Sequence, residues 1–183
     1  MPSLPLAPDA IADAIARGDH RAALAECARS HGVALGRLCM AWLGSQAEAD
    51  EATQETLLAA YDAMRGFRAE SSVRAWLFGI ARHVCARRQE TRVRREARLR
   101  LVHSAGEFAP GADNLLAARY RAERVREALE QLKPSERDAV VLRYEAELSF
   151  RELADACGID EATARKRVSR ALERLRGALP DDL

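Results

Sequence analysis

The chain has 183 residues, 48% apolar and 5% aromatic, and its 29 basic and 28 acidic residues leave a formal charge of +1. Few aromatics among many Ala, Leu, Arg and Glu favour an all-α fold over a sheet. No apolar run reaches the roughly 18 residues that a membrane helix needs, and the start, MPSLPLAPDAIADAIARGD, lacks the basic opening and apolar core of a secretion signal, so a cytoplasmic protein is expected.

Net charge singles out no partner, but the distribution of charge does more. Ser45 to Asp62 holds five acids and no base, whereas Arg82 to Arg100 holds eight arginines and two glutamates. Such separation suits different partners on different faces.

Residues 1–20 read as a Pro-containing tail and the start of a helix, and 21–100 as a helical domain. Cys27, Cys39, Cys85 and Cys157 are scattered without CxxC spacing. They read as small buried or half-buried thiols in a reducing compartment, although Cys27 stands at helical spacing from His20 and His31, which leaves a metal or redox site as the alternative. No metal and no cofactor are expected.

In AEADEATQETLLAAYDAM, Asp50, Glu51, Gln54, Glu55, Leu58 and Asp62 fall within about half the helical circumference. Ala49, Ala52, Thr56, Ala60 and Ala63 take the packable side. No Lys or Arg at i+4 relieves the acidic repulsion, which hints at a basic partner, a solvated face being the simpler reading.

Gly66 to Ala75 reads as a polar loop, and a helix starting with Trp76, Leu77, Ile80, Ala81 and Val84 soon turns to arginine at Arg82, Arg87, Arg88, Arg92, Arg94 and Arg95. A basic helix entered through a polar loop beside aromatics can cradle single-stranded nucleic acid, where aromatic and guanidinium faces stack on bases. For Trp76 and Phe78 core packing is the competing role.

LVHSAGEFAPGAD reads as part of a linker over 101–115, and 116–183 as a second helical domain. Ala122, Val125, Leu129 and Leu132 keep helical spacing, and Pro134 suits the first turn of the next helix. Ser149 with Glu152 forms a capping box, Phe150, Leu153, Ala154 and Cys157 form a stripe, Gly158 supplies a turn, and Asp160 caps the last helix. There Ala164, Val168, Ala171, Leu172 and Leu175 share a face, Lys166, Ser169 and Arg170 point away from it, and Arg165 and Arg167 flank it. This helix–turn–helix suits a DNA major groove, its bases reaching phosphates and guanine edges.

ADEATQETLLAAYDAMRGFR followed by SVRAWLFGIARHVCARR resembles the second conserved domain of bacterial RNA polymerase sigma factors. LEQLKPSERDAVVLRYEAELSFRELADACGIDEATARKRVSRALERLR resembles the fourth. A short linker stands where primary sigma factors carry a longer domain, the arrangement of the extracytoplasmic-function (ECF) group. The resemblance implies two small helical domains and a function in promoter recognition and DNA melting on core polymerase. It implies that Asp50, Glu51, Gln54 and Glu55 dock on the polymerase. Phe67, Arg68, Ser71, Ser72, Arg74, Trp76, Arg82, His83, Arg87 and Arg88 would take the melted minus-ten element. Thr163, Arg165, Lys166, Arg167, Ser169 and Arg170 would take the minus-thirty-five element. The group usually has Asn where this chain has His83, and Glu then Asp where it has Asp50 and Glu51. A separate anti-sigma protein is the implied regulator.

Two other readings compete. A dimeric helix–turn–helix regulator would leave the acidic face and WLFGIAR without a role. An enzyme would need a site, and the chain has no GxxxxGK[ST] loop, no HExxH and no recognisable Ser/His/Asp or Cys/His set.

Overall fold

The computed structural model describes residues 10–100 and 124–178, without the side chains of 96–100. The first residues of the expected tail, the linker 101–115 and Ala122 lie outside them. All regular structure among the described residues is helical.

The first block packs α1 (Ala10–Ala16), α2 (His20–Leu43), α3 (Gln46–Ala63) and α4 (Val73–Arg100). Asp19 caps α2 by accepting from the Ala22 amide at 3.1 Å, and Gly44 ends it at φ +74, a conformation that suits glycine. On α3, Ala49, Ala52, Thr56 and Ala60 are buried, as expected. The Thr56 hydroxyl donates back to the Ala52 carbonyl at 2.7 Å, so its burial leaves no donor unmet. Ala63 departs from expectation and is exposed, because α3 gives way to a 3₁₀ turn (Met64–Gly66) that buries Met64 instead.

A second correction concerns the start of α4. The Ser72 hydroxyl accepts from the Ala75 amide at 3.1 Å, so the helix opens at Val73, and Arg74 and Ala75 belong to its first turn, not to a loop.

The second block contains a helical segment, α5 (124–130), then α6 (Pro134–Tyr144), α7 (Phe150–Cys157) and α8 (Glu161–Ala178). Pro134 opens α6, where its missing N–H costs nothing. The capping box of Ser149 and Glu152 is formed, Gly158 turns at φ +64, and the Asp160 carboxylate accepts from the Thr163 amide at 2.8 Å. Leu153, Ala154, Ala164, Val168 and Ala171 are buried. Glu136, itself buried, is met by Arg174 at 2.8 Å, which ties α6 to α8.

One buried apolar cluster runs through both blocks, from Leu35, Leu38 and Trp42 of α2, through Leu77 and Phe78 of α4, to Leu142, Leu153 and Val168. Burying side chains of this size contributes roughly 1.5–3 kcal/mol apiece. The sequence suggested two blocks joined only by a flexible connection; here they also share a core, with α4 against α7.

Candidate nucleic-acid interface

Three faces gather the residues singled out in the sequence. The first is the acidic side of α3, where Asp50, Glu51 and Gln54 are exposed and Glu55 is half-buried. The expected repulsion is relieved, not from i+4 but from α4. Arg88 donates from Nη1 to Glu51 Oε2 and from Nε to Glu55 Oε2, both at 2.9 Å, and Arg87 donates to Glu55 Oε1 at 2.9 Å. The Glu51 bond, resisted by burial and helped by Glu55, holds the Arg88 pKa above its ordinary value. Gln46 donates to Asp50 at 2.8 Å.

Arg87 and Arg88 thus stand beside the acidic face as well as on the arginine-rich helix. Their side chains differ: Arg87 is 67% exposed with one carboxylate partner, whereas Arg88 is 29% exposed and bridges two. An exposed pair is worth about 0–1 kcal/mol and is readily exchanged. Arg87 can therefore leave Glu55 for a phosphate, while Arg88 braces α3 against α4. Arg87→Ala is expected to reduce permanganate reactivity of promoter thymines more than Arg88→Ala at saturating polymerase. The reverse order would sink this division of labour.

The second face comprises the loop before α4 and the side of α4 that follows it. The Phe67 and Trp76 rings stand 5.0 Å apart and tilted, and both are half-buried. Trp76 is thus partly core and partly surface, while Phe78 is wholly core. Gly66, Phe67, Arg68, Glu70, Ser71 and Trp76 line an open recess of about 360 Å³, with an aromatic wall of the kind on which a base can stack. Ala69 in this loop holds φ +55, a left-handed conformation that costs a residue with a Cβ.

Ser72, Arg74 and Arg82 lie on the same side but face the second block. Ser72 donates to Glu152 at 3.1 Å, Arg74 donates to the Ala146 carbonyl, and Arg82 stands 3.4 Å from Asp138. His83 is exposed, with Nε2 3.1 Å from Arg82 Nη2. Burial and the Arg82 charge keep its pKa below the ordinary value, so the ring is neutral near pH 7. A neutral imidazole offers one donor and one acceptor, and the side-chain amide of Asn likewise combines donor and acceptor groups, with two N–H donors to the imidazole's one.

The third face is the outer side of α8. Arg165, Lys166, Ser169 and Arg170 are exposed, and Thr163 and Arg167 are half-buried. The Thr163 hydroxyl donates to Asp160 at 2.6 Å, so it serves the cap. Arg165 is held by Glu161, one turn back, and its guanidinium lies 4.3 Å from the centre of the Phe150 ring.

The residues that join the blocks were missed in the sequence: Asp138, Arg137, Ala156 and Gly79. Gly79 gave a signal, because a glycine within a helix is unfavourable unless something needs the space. Cys27, Cys39 and Cys85 are buried and Cys157 half-buried, and no three of His, Cys, Asp or Glu among the described residues gather to hold a metal ion. No helix of the described residues is long and apolar enough to cross a membrane.

A helix–turn–helix with a basic outer face, joined to a helical block with an acidic face and an aromatic, arginine-edged recess, is the architecture of a two-part DNA-binding protein. Residues 27–99 match the model of sigma-70 region 2, and residues 122–175 match that of sigma-70 region 4. The chain belongs to the ECF group of RNA polymerase sigma factors. It is 36% identical over 150 residues to the probable RNA polymerase sigma-C factor of Mycobacterium bovis, covering 79% of this chain and 77% of that one. It is 28% identical to the RNA polymerase sigma factor CnrH of Cupriavidus metallidurans over 95% of each chain. The solved structure of CnrH in complex with the cytosolic domain of CnrY superposes with a TM-score of 0.68, 25% identity and coverage of 94% of this chain and 97% of that one. The sigma factor RpoE of Bartonella quintana, solved with the anti-sigma factor NepR, gives a TM-score of 0.61 at 25% identity over 85% of this chain and 97% of that one.

Proposed function

We propose that this sigma factor works through its three faces separately: α3 docks on core RNA polymerase, the recess and α4 capture the melted minus-ten strand, and α8 reads the minus-thirty-five duplex. The observation that carries this reading is the placement of acidic and basic side chains on different helices of one chain. Asp50, Glu51, Gln54 and Glu55 present carboxylates and an amide along one side of α3, Glu55 half-buried and the others exposed. Phe67 and Trp76 offer stacking surface beside Arg68. Arg165, Lys166 and Arg170 offer donors to a groove. Residues 21–100 would form the polymerase and minus-ten unit, 101–115 the linker, and 116–183 the minus-thirty-five unit.

Sigma factors act in transcription initiation by positioning polymerase, and this chain would add no catalysis of its own. It would work in the cytoplasm, where polymerase and promoter DNA are. CnrH and RpoE were solved with CnrY and with the anti-sigma factor NepR, which supports a separate anti-sigma protein as the regulator here.

Run-off transcription with purified core polymerase on genomic fragments tests the whole reading. Discrete transcripts are expected only when this protein is added. Specific binding of promoter duplex by the protein alone, with no transcript on adding core, would favour the dimeric regulator instead.

A further inference from the structure

We propose that Phe150 is a positioning residue for sequence discrimination: its ring holds the Arg165 guanidinium in the orientation from which α8 addresses a base edge. The proposal rests on the assignment of Arg165 to the minus-thirty-five duplex. Phe150 opens α7 and lies outside the reading helix. The Arg165 guanidinium carbon stands 4.3 Å from the centre of the Phe150 ring. That is well within the roughly 6 Å over which an aromatic face attracts a cation.

The ring is itself fixed. Ser149 caps α7 immediately before it, through a complete capping box. The Phe150 side chain is half-buried and packs against the apolar core. A second guanidinium, that of Arg143 in the last turn of α6, lies 5.1 Å from the ring centre. Arg143 is held in turn, donating from Nη1 to the Leu148 carbonyl at 2.7 Å. Phe150 thus stands on a corner built by α6, α7 and the turn between them, and it presents that corner to α8.

Two groups hold Arg165, and they hold different parts of it. Glu161, one turn back on α8, accepts a hydrogen bond from Nη2. Phe150 meets the guanidinium through its carbon. The distinction decides which contact survives on DNA. A bidentate bond to guanine takes two N–H donors from the guanidinium edge, and the Glu161 bond competes for that edge. With side chains 58% and 46% exposed, the Arg165–Glu161 pair is weak and readily exchanged. A guanidinium resting on a ring keeps its fork of N–H groups free for hydrogen bonding. The ring contact can therefore persist while the edge turns to a base. Phosphate contacts carry no sequence information, so loss of the ring should cost discrimination more than it costs binding.

Full-length Phe150→Leu keeps an apolar side chain at this corner and removes the ring, whereas Phe150→Tyr keeps the ring. Each is assayed with core polymerase by run-off transcription from single-base variants of the upstream element. Phe150→Leu should lower discrimination by roughly two- to fivefold, the range that a ring–cation contact at an exposed site supports. The loss should fall at the base pair where Arg165→Ala also loses discrimination, and Phe150→Tyr should keep the parental ranking. Adding Phe150→Leu to Arg165→Ala should flatten that base pair no further, because the two residues act as one unit. Phe150→Leu with the parental ranking overturns the proposal. So does an equal loss on every upstream variant, or a Phe150→Tyr protein as indiscriminate as Phe150→Leu, since either marks Phe150 as packing alone. Nuclear magnetic resonance of the parent gives a test that needs no substitution at Phe150. The Arg165 δ-protons, assigned by their loss in Arg165→Ala, should be shifted upfield of those of Arg170 by the ring current. Equal shifts overturn the proposal. If Arg165→Ala itself keeps the parental ranking, the minus-thirty-five assignment of Arg165 falls and the proposal falls with it. If Arg165→Ala flattens a base pair that Phe150→Leu leaves sharp, the assignment stands and only the positioning role is wrong.

Discussion

Reversing both Asp50 and Glu51 to Lys is expected to abolish co-purification with core polymerase while leaving the fold intact. Both side chains are exposed, and within the chain their bonds are to Gln46 and Arg88. Losing such surface contacts costs the fold about 1 kcal/mol or less. Docking on a basic partner is different, because each charge-assisted hydrogen bond there is worth roughly 1.5–3 kcal/mol. Two together come to roughly 3–6 kcal/mol, or about two to four orders of magnitude in affinity. The measurement is affinity for core by fluorescence titration, with circular dichroism and a thermal melt to confirm folding. Unchanged affinity in a folded double variant would falsify the docking assignment.

Replacing Arg165 or Arg170 with Ala should each lower transcription from the native promoter, and at least one should flatten discrimination among single-base variants of the upstream element. A bidentate contact from Arg to guanine is worth about 1–3 kcal/mol of discrimination, whereas a phosphate contact weakens all sequences alike. Arg165 enters the contact already ordered by Glu161 and the Phe150 ring, so little side-chain freedom is lost on binding. Arg170 is exposed and forms no ion pair among the described residues. Lys166 can serve a phosphate or a base edge. If Ala at all three positions preserves the parental ranking of upstream variants, α8 positions the protein without reading sequence.

The helix–turn–helix was legible because its determinants are local. Ser149 and Glu152 are three residues apart, Gly158 and Asp160 follow at once, and the stripe from Ala164 to Ala171 needs only the helical period. The packing side of α3 was legible for the same reason, except at Ala63, where the helix tightens into a 3₁₀ turn. The start of α4 was misplaced because the Ser72 cap was hidden among other polar residues. Pairing of Arg88 with Glu51 and Glu55 was out of reach, since it joins residues 37 and 33 positions apart. The same limit hid the meeting of Arg82 with Asp138, 56 positions away, and left Gly79 as its only trace.

The alanine side of α3 has a mechanical consequence. Ala49, Ala52 and Ala60 have no side-chain rotamers to rearrange and are fully buried. Small side chains fill that side, and the Arg88 bridge ties α3 to α4. A carboxylate mounted on such a helix has little play beneath it. The entropic cost of holding that face in place for a partner would then be met when the chain folds.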